Sequence, residues 1–327
     1  MMPDSLSSLR IGTRDSQLAL WQARHVQQLL REQTPAWSLE QLPLYPIKAV
    51  GDKVLDVSLS ELSTQQKQYG VFVKELEQYL QTNRIDIAVH SLKDMPSRLP
   101  DGLAVVPIGE RASVRDAWLQ PQGLSFFELP ARSVVGTSSL RRTAQLRRLR
   151  SDLTYTSIRG NVQTRLRKLE EGVVDGMILA EAGLNRLGLG SVMVHTFCPL
   201  TQLIPAVGQG VLGVEYRVCD TAIEARLHPL VEPCLYVAFT AERTLMAELE
   251  GGCQLPLGAY CYWNDAQQHY ELVAQLLHPT NPEVVVEGSC CIRSLAEAAS
   301  QARTLAHTLL ANGGIAIKQA IADATKS

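Results

Sequence analysis

A short apolar strand that ends in a glycine turn and runs straight into a helical pattern occurs twice in this 327-residue chain. The first copy is Leu9-Arg10-Ile11-Gly12, followed by helical periodicity from Ser16 to Arg31 through Leu18, Leu20, Ala23, Val26 and Leu30. A strand at Tyr45–Val50, a helix over Val71–Leu80 and the strand Ile85-Asp86-Ile87-Ala88-Val89 come next. The second copy begins at Ser133-Val134-Val135 and continues through a helix near Arg141–Arg150 and a strand near Thr154–Ile158. A helix at Val162–Glu171 and the apolar strand Gly176-Met177-Ile178-Leu179-Ala180 complete it. Short apolar strands alternating with helices select a mostly parallel, doubly wound sheet. Two such units in tandem predict two α/β lobes with a cleft between them, a common place for small ligands.

A third unit follows. Its helix, Cys234–Leu249, stops at Glu250-Gly251-Gly252, and strands are predicted at Ala259–Trp263, Tyr270–Leu277 and Val284–Ile292. An amphipathic helix over Ser294–Asn312 completes a compact α+β domain with an antiparallel sheet. Gln209–Tyr216 reads as a strand returning to the first sheet. The expected boundaries are 1–110 with 211–229, then 115–204, then 232–327. A hydrophobic content of 46% with 20% charged residues excludes a disordered chain. No apolar run approaches the roughly 20 residues of a membrane helix, and Met1-Met2-Pro3-Asp4-Ser5 lacks the basic and apolar regions of a signal peptide. The seven cysteines lie beyond residue 197 without paired CxxC spacing, so the expectation is a cytoplasmic protein with reduced thiols and no metal.

The chemistry is carried by charged residues at turns. Val134-Val135-Gly136-Thr137-Ser138-Ser139-Leu140-Arg141-Arg142 is a strand end, a glycine turn, hydroxyl N-cap candidates and a helix start. The N-terminus of a helix disfavours cations, so Arg141 and Arg142 imply a missing partner, most simply a bound anion. Backbone N–H groups, hydroxyls such as Ser139 and bidentate arginines are the usual parts of a carboxylate or phosphate site. Arg159, in Ser157-Ile158-Arg159-Gly160-Asn161, and Arg165 and Arg167 extend the cationic set, whereas Arg147, Arg148 and Arg150 read as a solvated helix face. A net charge of -2 and the lack of aromatics among the arginines argue against nucleic acid. The favoured ligand is a small polyanion.

Ile85–Val89 runs into His90-Ser91-Leu92-Lys93-Asp94-Met95-Pro96 at its carboxyl end, where open α/β sheets place ligand sites. From the residues alone, Asp94 beside Lys93 is equally a turn cap and a reacting carboxylate, and His90 reads as a satisfied structural group. Gly12-Thr13-Arg14-Asp15-Ser16 repeats the strand-to-helix turn with Arg14 and Ser16 in the other lobe. In Glu250-Gly251-Gly252-Cys253-Gln254 the glycines suit a thiol presented on a loop, although a Cys after a glycine helix stop is more often simply buried. Cys290-Cys291 sit in a strand pattern and read as structural.

Taken together, Thr13–Ser16, Asp86–Pro96, Val135–Arg142, Arg159–Val162, Leu203–Gly210 and Glu250–Pro256 resemble, in order, the porphobilinogen deaminase (hydroxymethylbilane synthase) family. The likeness spans Arg10 to about Asn312. It implies an α/β fold with two doubly wound domains like type II periplasmic binding proteins and a smaller α+β C-terminal domain. It further implies a cytosolic monomer in which Cys253 carries a dipyrromethane cofactor through a thioether. Four porphobilinogen molecules are joined head to tail on that primer with loss of ammonia, and water releases 1-hydroxymethylbilane. By the same match Asp94 is the catalytic carboxylate. Lys93, Ser139, Arg141 and Arg142 would meet the cofactor, and Arg14, Ser16, Arg159, Arg165 and Arg186 the substrate. Hand-off of the product to uroporphyrinogen-III synthase is left open, and neither nucleic acid nor membrane is an expected partner.

One stretch departs from the family pattern. Where a Gly-Gly-Lys-Gly run is usual, this chain has Gln66-Lys67-Gln68-Tyr69-Gly70-Val71-Phe72, with Tyr69 in the place of the lysine. Lys67, two residues earlier, is the expected substitute. The altered segment keeps two alternatives open, a non-catalytic two-lobed anion-binding protein and an inactive paralogue.

Overall fold

The computed structural model describes residues 8–48, 65–250 and 255–324, with residues 65–72 and 324 described by backbone alone. The chain divides into two units, Met1–Arg111 with Val211–Tyr236, and Ala112–Gly210 with Val237–Ser327.

The first unit is built on β1 (Ile11–Arg14), β2 (Leu44–Ile47), β3 (Ile87–Ser91), β4 (Leu103–Ile108) and β10 (Leu212–Arg217), in the sheet order β2-β1-β3-β10-β4. β1 is parallel to β2 and β3, whereas β10 is antiparallel to β3 and β4. Helices cover both faces, and for that reason β3 is apolar at successive positions rather than at alternate ones. Ile87 and Val89 join Ala23, Val26 and Leu30 of α1 (Gln17–Gln33) in one core. Ala88 faces the other way, with Leu76 and Leu80 of α2 (Gln65–Gln81).

The second unit repeats this arrangement. β5 (Asp116–Leu119), β6 (Val134–Gly136), β7 (Thr154–Thr156), β8 (Gly176–Ala180) and β9 (His195–Thr196) take the order β7-β6-β8-β5-β9. β6 is parallel to β7 and β8, and β5 is antiparallel to β8 and β9. In each sheet the antiparallel member beside the third strand is the one that follows directly on the chain's arrival in that unit, β5 after Ala112 and β10 after Val211. α3 (Leu140–Leu149), α4 (Val162–Glu170) and α5 (Glu181–Arg186) complete this part. The same unit holds the antiparallel sheet β11 (Leu257–Asn264), β12 (His269–Leu277) and β13 (Val285–Ile292). One face of that sheet, through Ala259, Leu272, Ala274 and Leu276, packs on Ala298, Ala302, Leu305 and Leu309 of α6 (Leu295–Leu309).

The α/β class, the two doubly wound sheets, the return of the Gln209–Tyr216 strand to the first sheet and the α+β character of the third part agree with the sequence. Differences lie at ends and edges. α2 begins at Gln65 rather than Val71, and beyond the last predicted helix, which ends at the Asn312-Gly313 break where Gly313 takes φ 119, a further helix spans Ile315–Ala324. β4 and β5 were not picked out from the sequence. The end of the predicted Tyr45–Val50 strand, the side chains of Gln66–Phe72 (Lys67 among them) and Cys253 lie outside the described residues.

The segment before Val211 depends on one glycine. Gly210 has φ +86 and accepts a hydrogen bond from Ala112 N at 3.1 Å. A Cβ at Gly210 would overlap the Ala112 carbonyl oxygen, a backbone atom that has no rotamer with which to move away. Gly210→Ala is expected to lose about 2 kcal/mol or more through positive-φ strain and overpacking. Urea unfolding of the two proteins measures this loss.

Candidate active site

At the end of β3 a single turn presents Lys93 and Asp94. Leu92 donates its N–H to Val211 O at 3.0 Å, and Met95 closes the turn by donating to Leu92 O at 3.0 Å. Leu92 and Met95 are both 2% exposed, so two buried side chains hold the turn while Lys93, half-buried, and Asp94, exposed, stand outside it. Behind the turn, Gln22 Nε2 of α1 donates to Ser91 Oγ at 2.8 Å. His90 Nε2 lies 3.0 Å from Glu215 Oε2 of β10, on the same face of the sheet, and both residues are buried. His90 is therefore the structural group its position suggested. Burial, and then the charge of Glu215, push the Glu77 carboxyl of α2 above its usual range.

Thr13 and Ser16 shape the first strand-to-helix turn. Thr13 Oγ1 donates to Ala19 O at 3.0 Å, and Ser16 Oγ caps α1 by accepting Ala19 N–H at 3.3 Å. Arg14 sits between them, half-buried. A capping serine accepts through its oxygen and keeps its own O–H to donate, so capping and ligand contact are compatible at Ser16.

The matching turn of the second unit is more heavily built. Ser139 Oγ caps α3 by accepting Arg142 N–H at 3.4 Å, and Asn161 Oδ1 caps α4 by accepting Thr164 N–H at 2.9 Å. Ser138 Oγ lies 3.0 Å from Ser157 Oγ and donates to Ile158 O at 2.6 Å, which ties the two helix-start loops together. Arg165 Nε donates to Gly160 O at 2.8 Å, and Arg159 is exposed on the same loop. Ser139 and Arg159 thus stand on neighbouring loops, with Arg165 in α4 beside them.

For Arg141 and Arg142 the structure supplies a partner that the sequence did not indicate. Both are buried, at 4% and 7% exposure, against Asp116 of β5, itself 2% exposed. Arg141 Nη2 donates to Asp116 Oδ2 at 2.7 Å, while Arg142 donates to Oδ1 through Nε at 3.1 Å and Nη2 at 2.7 Å. The pair thus has a counter-ion within the protein, a side chain of β5. Burial pushes the Asp116 carboxyl up, but the two guanidinium groups outweigh it and hold it well below the usual carboxylate range. One carboxylate against two arginines leaves a formal charge of about +1 at the start of α3. Arg141 Nε is buried there with no hydrogen-bond partner among the described residues.

Arg147 and Arg150, expected on a solvated face, are half-buried and bonded to backbone carbonyls. Arg150 donates to Phe126 O, Phe127 O and Leu129 O at 3.2, 2.9 and 2.8 Å, and Arg147 donates to Pro279 O at 3.0 Å. Of that trio only Arg148 is exposed.

Several polar residues that clamp residues 203–210 escaped the sequence analysis. Gln145 of α3 pairs with Ile204 through both its amide atoms, at 3.0 and 2.7 Å. Buried Glu242 accepts from Gly208 N at 2.7 Å and Cys261 N at 2.9 Å. Gln209 Nε2 donates to Val114 O at 2.6 Å and Asp116 Oδ1 at 3.0 Å. Arg186, at the end of α5, donates to Gly210 O at 2.9 Å, and burial draws its pKa down to about 10. The available signal for Asp116 was an acid opening the apolar run Asp116-Ala117-Trp118-Leu119, since a buried carboxylate needs a cation.

Removing Asp116 would leave two buried guanidinium groups facing each other. Asp116→Ala is expected to cost about 3–5 kcal/mol, the usual penalty for stranding a buried charge, read as a lower urea midpoint. Because the folded pKa is depressed, this contribution is present above the unfolded value near pH ~3.9. It is lost only as pH falls toward the folded pKa, so the wild-type advantage over Asp116→Ala should shrink in strong acid.

Comparison with known proteins gives this geometry a family. Residues 9–225 match the model described as porphobilinogen deaminase, dipyromethane cofactor binding domain, and residues 236–311 match the porphobilinogen deaminase C-terminal domain. The porphobilinogen deaminase of Syntrophomonas wolfei is 43% identical over 95% of this chain and 98% of its own. That of Syntrophotalea carbinolica is 44% identical over 97% of each chain, and that of Thiobacillus denitrificans 43% identical over 97% and 99%. Among solved structures, the methionine-binding protein MetQ aligns at 13% identity and TM-score 0.43, over 69% of this chain and 89% of that one. The chain belongs to the porphobilinogen deaminase family.

Proposed function

We propose that this chain is a hydroxymethylbilane synthase, a transferase that condenses four porphobilinogen molecules head to tail into a linear tetrapyrrole with release of ammonia. The observation that carries the reading is the α3 N-terminus, where two buried arginines, one carboxylate and a capping serine form a net cationic site within the matched cofactor-binding region. A dipyrromethane bears acetate and propionate groups on each ring. The donor set suits such a ligand: residual positive charge, the buried Arg141 Nε without a partner among the described residues, and the Ser139 hydroxyl with a proton still to give. Arg141, Arg142, Ser139 and Lys93 would hold these carboxylates, and Cys253 would carry the group through a thioether. When bound, the cofactor supplies an electron-rich pyrrole carbon on which the chain grows.

The remaining steps belong to protein side chains. Arg14, Ser16, Arg159, Arg165 and Arg186 meet the acid groups of incoming porphobilinogen. Asp94, exposed on a turn locked by Leu92 and Met95, delivers a proton to the aminomethyl nitrogen as ammonia leaves. The same carboxylate then accepts pyrrole N–H hydrogen bonds, stabilises positive charge developing on the rings and takes back the ring proton lost as the new carbon–carbon bond forms. A division into three domains (1–110 with 211–229, 115–204 and 232–327), a monomeric state, a cytoplasmic location and hand-off of the product to uroporphyrinogen-III synthase belong to this reading. No described helix is long and apolar enough to cross a membrane.

Asp94→Asn tests the assignment. It should keep porphobilinogen affinity within a few-fold while turnover drops about 10²–10⁴-fold, the usual contribution of a positioned acid–base group. Equilibrium binding and rapid-quench turnover separate the two quantities. Activity within a few-fold of wild type would sink the role given to Asp94, and ordinary binding without turnover in the wild type would favour the non-catalytic alternative.

A further inference from the structure

Asp116 lies in none of the segments that carry the family likeness, yet both guanidinium groups of the α3 site are oriented through it. Its Oδ2 accepts from Arg141 Nη2, and its Oδ1 accepts from Arg142 Nε, Arg142 Nη2 and Gln209 Nε2. Three of these four bonds fall on Oδ1 and one on Oδ2, so both carboxylate oxygens are engaged in holding the pair. Gln209, 0% exposed, is itself fixed by donating to Val114 O at 2.6 Å. The second Nη of each arginine is tied to backbone, Arg141 Nη1 to Ile204 O at 2.7 Å and Arg142 Nη1 to Ile178 O at 3.3 Å. Each guanidinium plane is therefore fixed at two of its edges.

We propose that Asp116 is the positioning residue of this carboxylate site, with Gln209 holding Asp116 in register. The inference rests on the reading that Arg141 and Arg142 receive acid side chains. Asp116 exerts two effects of opposite sign on that site. Its negative charge cancels one of two positive charges and so weakens attraction for an anion. Its geometry fixes the guanidinium groups in advance, removing the ordering cost that two long side chains would otherwise meet on binding. Positioning is the larger effect. Asp116→Asn keeps the shape and raises the local charge by one, so a purely electrostatic role predicts tighter anion binding and a positioning role predicts weaker binding.

The experiment uses the full-length Cys253→Ser chain, in which the proposed thioether cannot form. Porphobilinogen, whose acetate and propionate match those of one cofactor ring and which can enter the cofactor's site in a chain that lacks the thioether, is titrated while the Arg141 and Arg142 Nε–H resonances are followed by ¹⁵N NMR. In the Asp116-containing chain the Arg141 Nε–H resonance should shift on binding. With Asp116→Asn the half-saturating concentration should rise about tenfold or more, and the Arg142 Nε–H should lose its protection from exchange with water. Gln209→Leu keeps the Asp116 charge and removes one of its donors. It should raise half-saturation about threefold, and it carries the test should Asp116→Asn fail to fold. Unchanged or tighter binding in the variants, or no shift of Arg141 in the Asp116-containing chain, overturns the inference. Intact mass of the purified wild type reads the underlying function separately: weaker binding in the variants without any pyrrole mass on the wild type would count against the transferase while supporting the positioning role.

Discussion

A carboxylate at 2% exposure is tolerable only if cations come with it, and Asp116 brings two arginines and a glutamine to one point. Much of the second unit's polar architecture follows from that requirement. β5 must begin where its first residue can reach the start of α3, and Arg141 and Arg142 must point back into the sheet rather than outward. The 203–210 segment is drawn to the same place by Arg141 at Ile204 O and by Gln209 at Asp116. Glu242 and Arg186 secure the rest of it, at Gly208 N and Gly210 O. A network of this kind contributes less to net stability than its Coulomb attraction suggests, because each charge is desolvated first. What it provides is a cationic helix start whose groups are fixed before a ligand arrives.

The two strand-to-helix turns solve a common problem by different means. At β1–α1 the turn is held by neutral groups, Thr13 on Ala19 O and Ser16 on Ala19 N, and the arginine between them is half-buried. At β6–α3 the arginines lie inside the helix, one turn deeper, and need a buried counter-ion. The β3 turn differs again. Asp94 is exposed between two buried apolar anchors, an arrangement that fixes a carboxylate in place without enclosing it. Fixed cations for acid side chains and one accessible carboxylate for proton transfer are what the proposed condensation of a polyanionic pyrrole chain requires.

The sheet order was readable because strand–helix alternation is local, and a strand buried on both faces leaves an apolar run such as Ile85–Val89. Helix starts were readable for the same reason: Ser16, Ser139 and Asn161 all cap the helices that follow them. The partner of Arg141 and Arg142 was not, because Asp116 lies 25 residues upstream of Arg141 on a strand whose pairing is antiparallel and long-range. Arg150 illustrates the same limit. Its charge suggested solvent, but its three backbone acceptors at Phe126, Phe127 and Leu129 come from a loop that periodicity does not place. Local rules identified which residues stand at the turns; the compensation of buried charge, a non-local constraint, decided which way the arginines face.

The account turns on a chain that primes itself with covalently held pyrrole, and intact-mass spectrometry addresses this most directly. Wild-type protein should carry an added mass of two linked pyrrole units, absent from Cys253→Ser, and brief exposure to porphobilinogen should add a stepwise ladder of further units. A wild-type chain that stays at its sequence mass, both as purified and after porphobilinogen, would contradict the account.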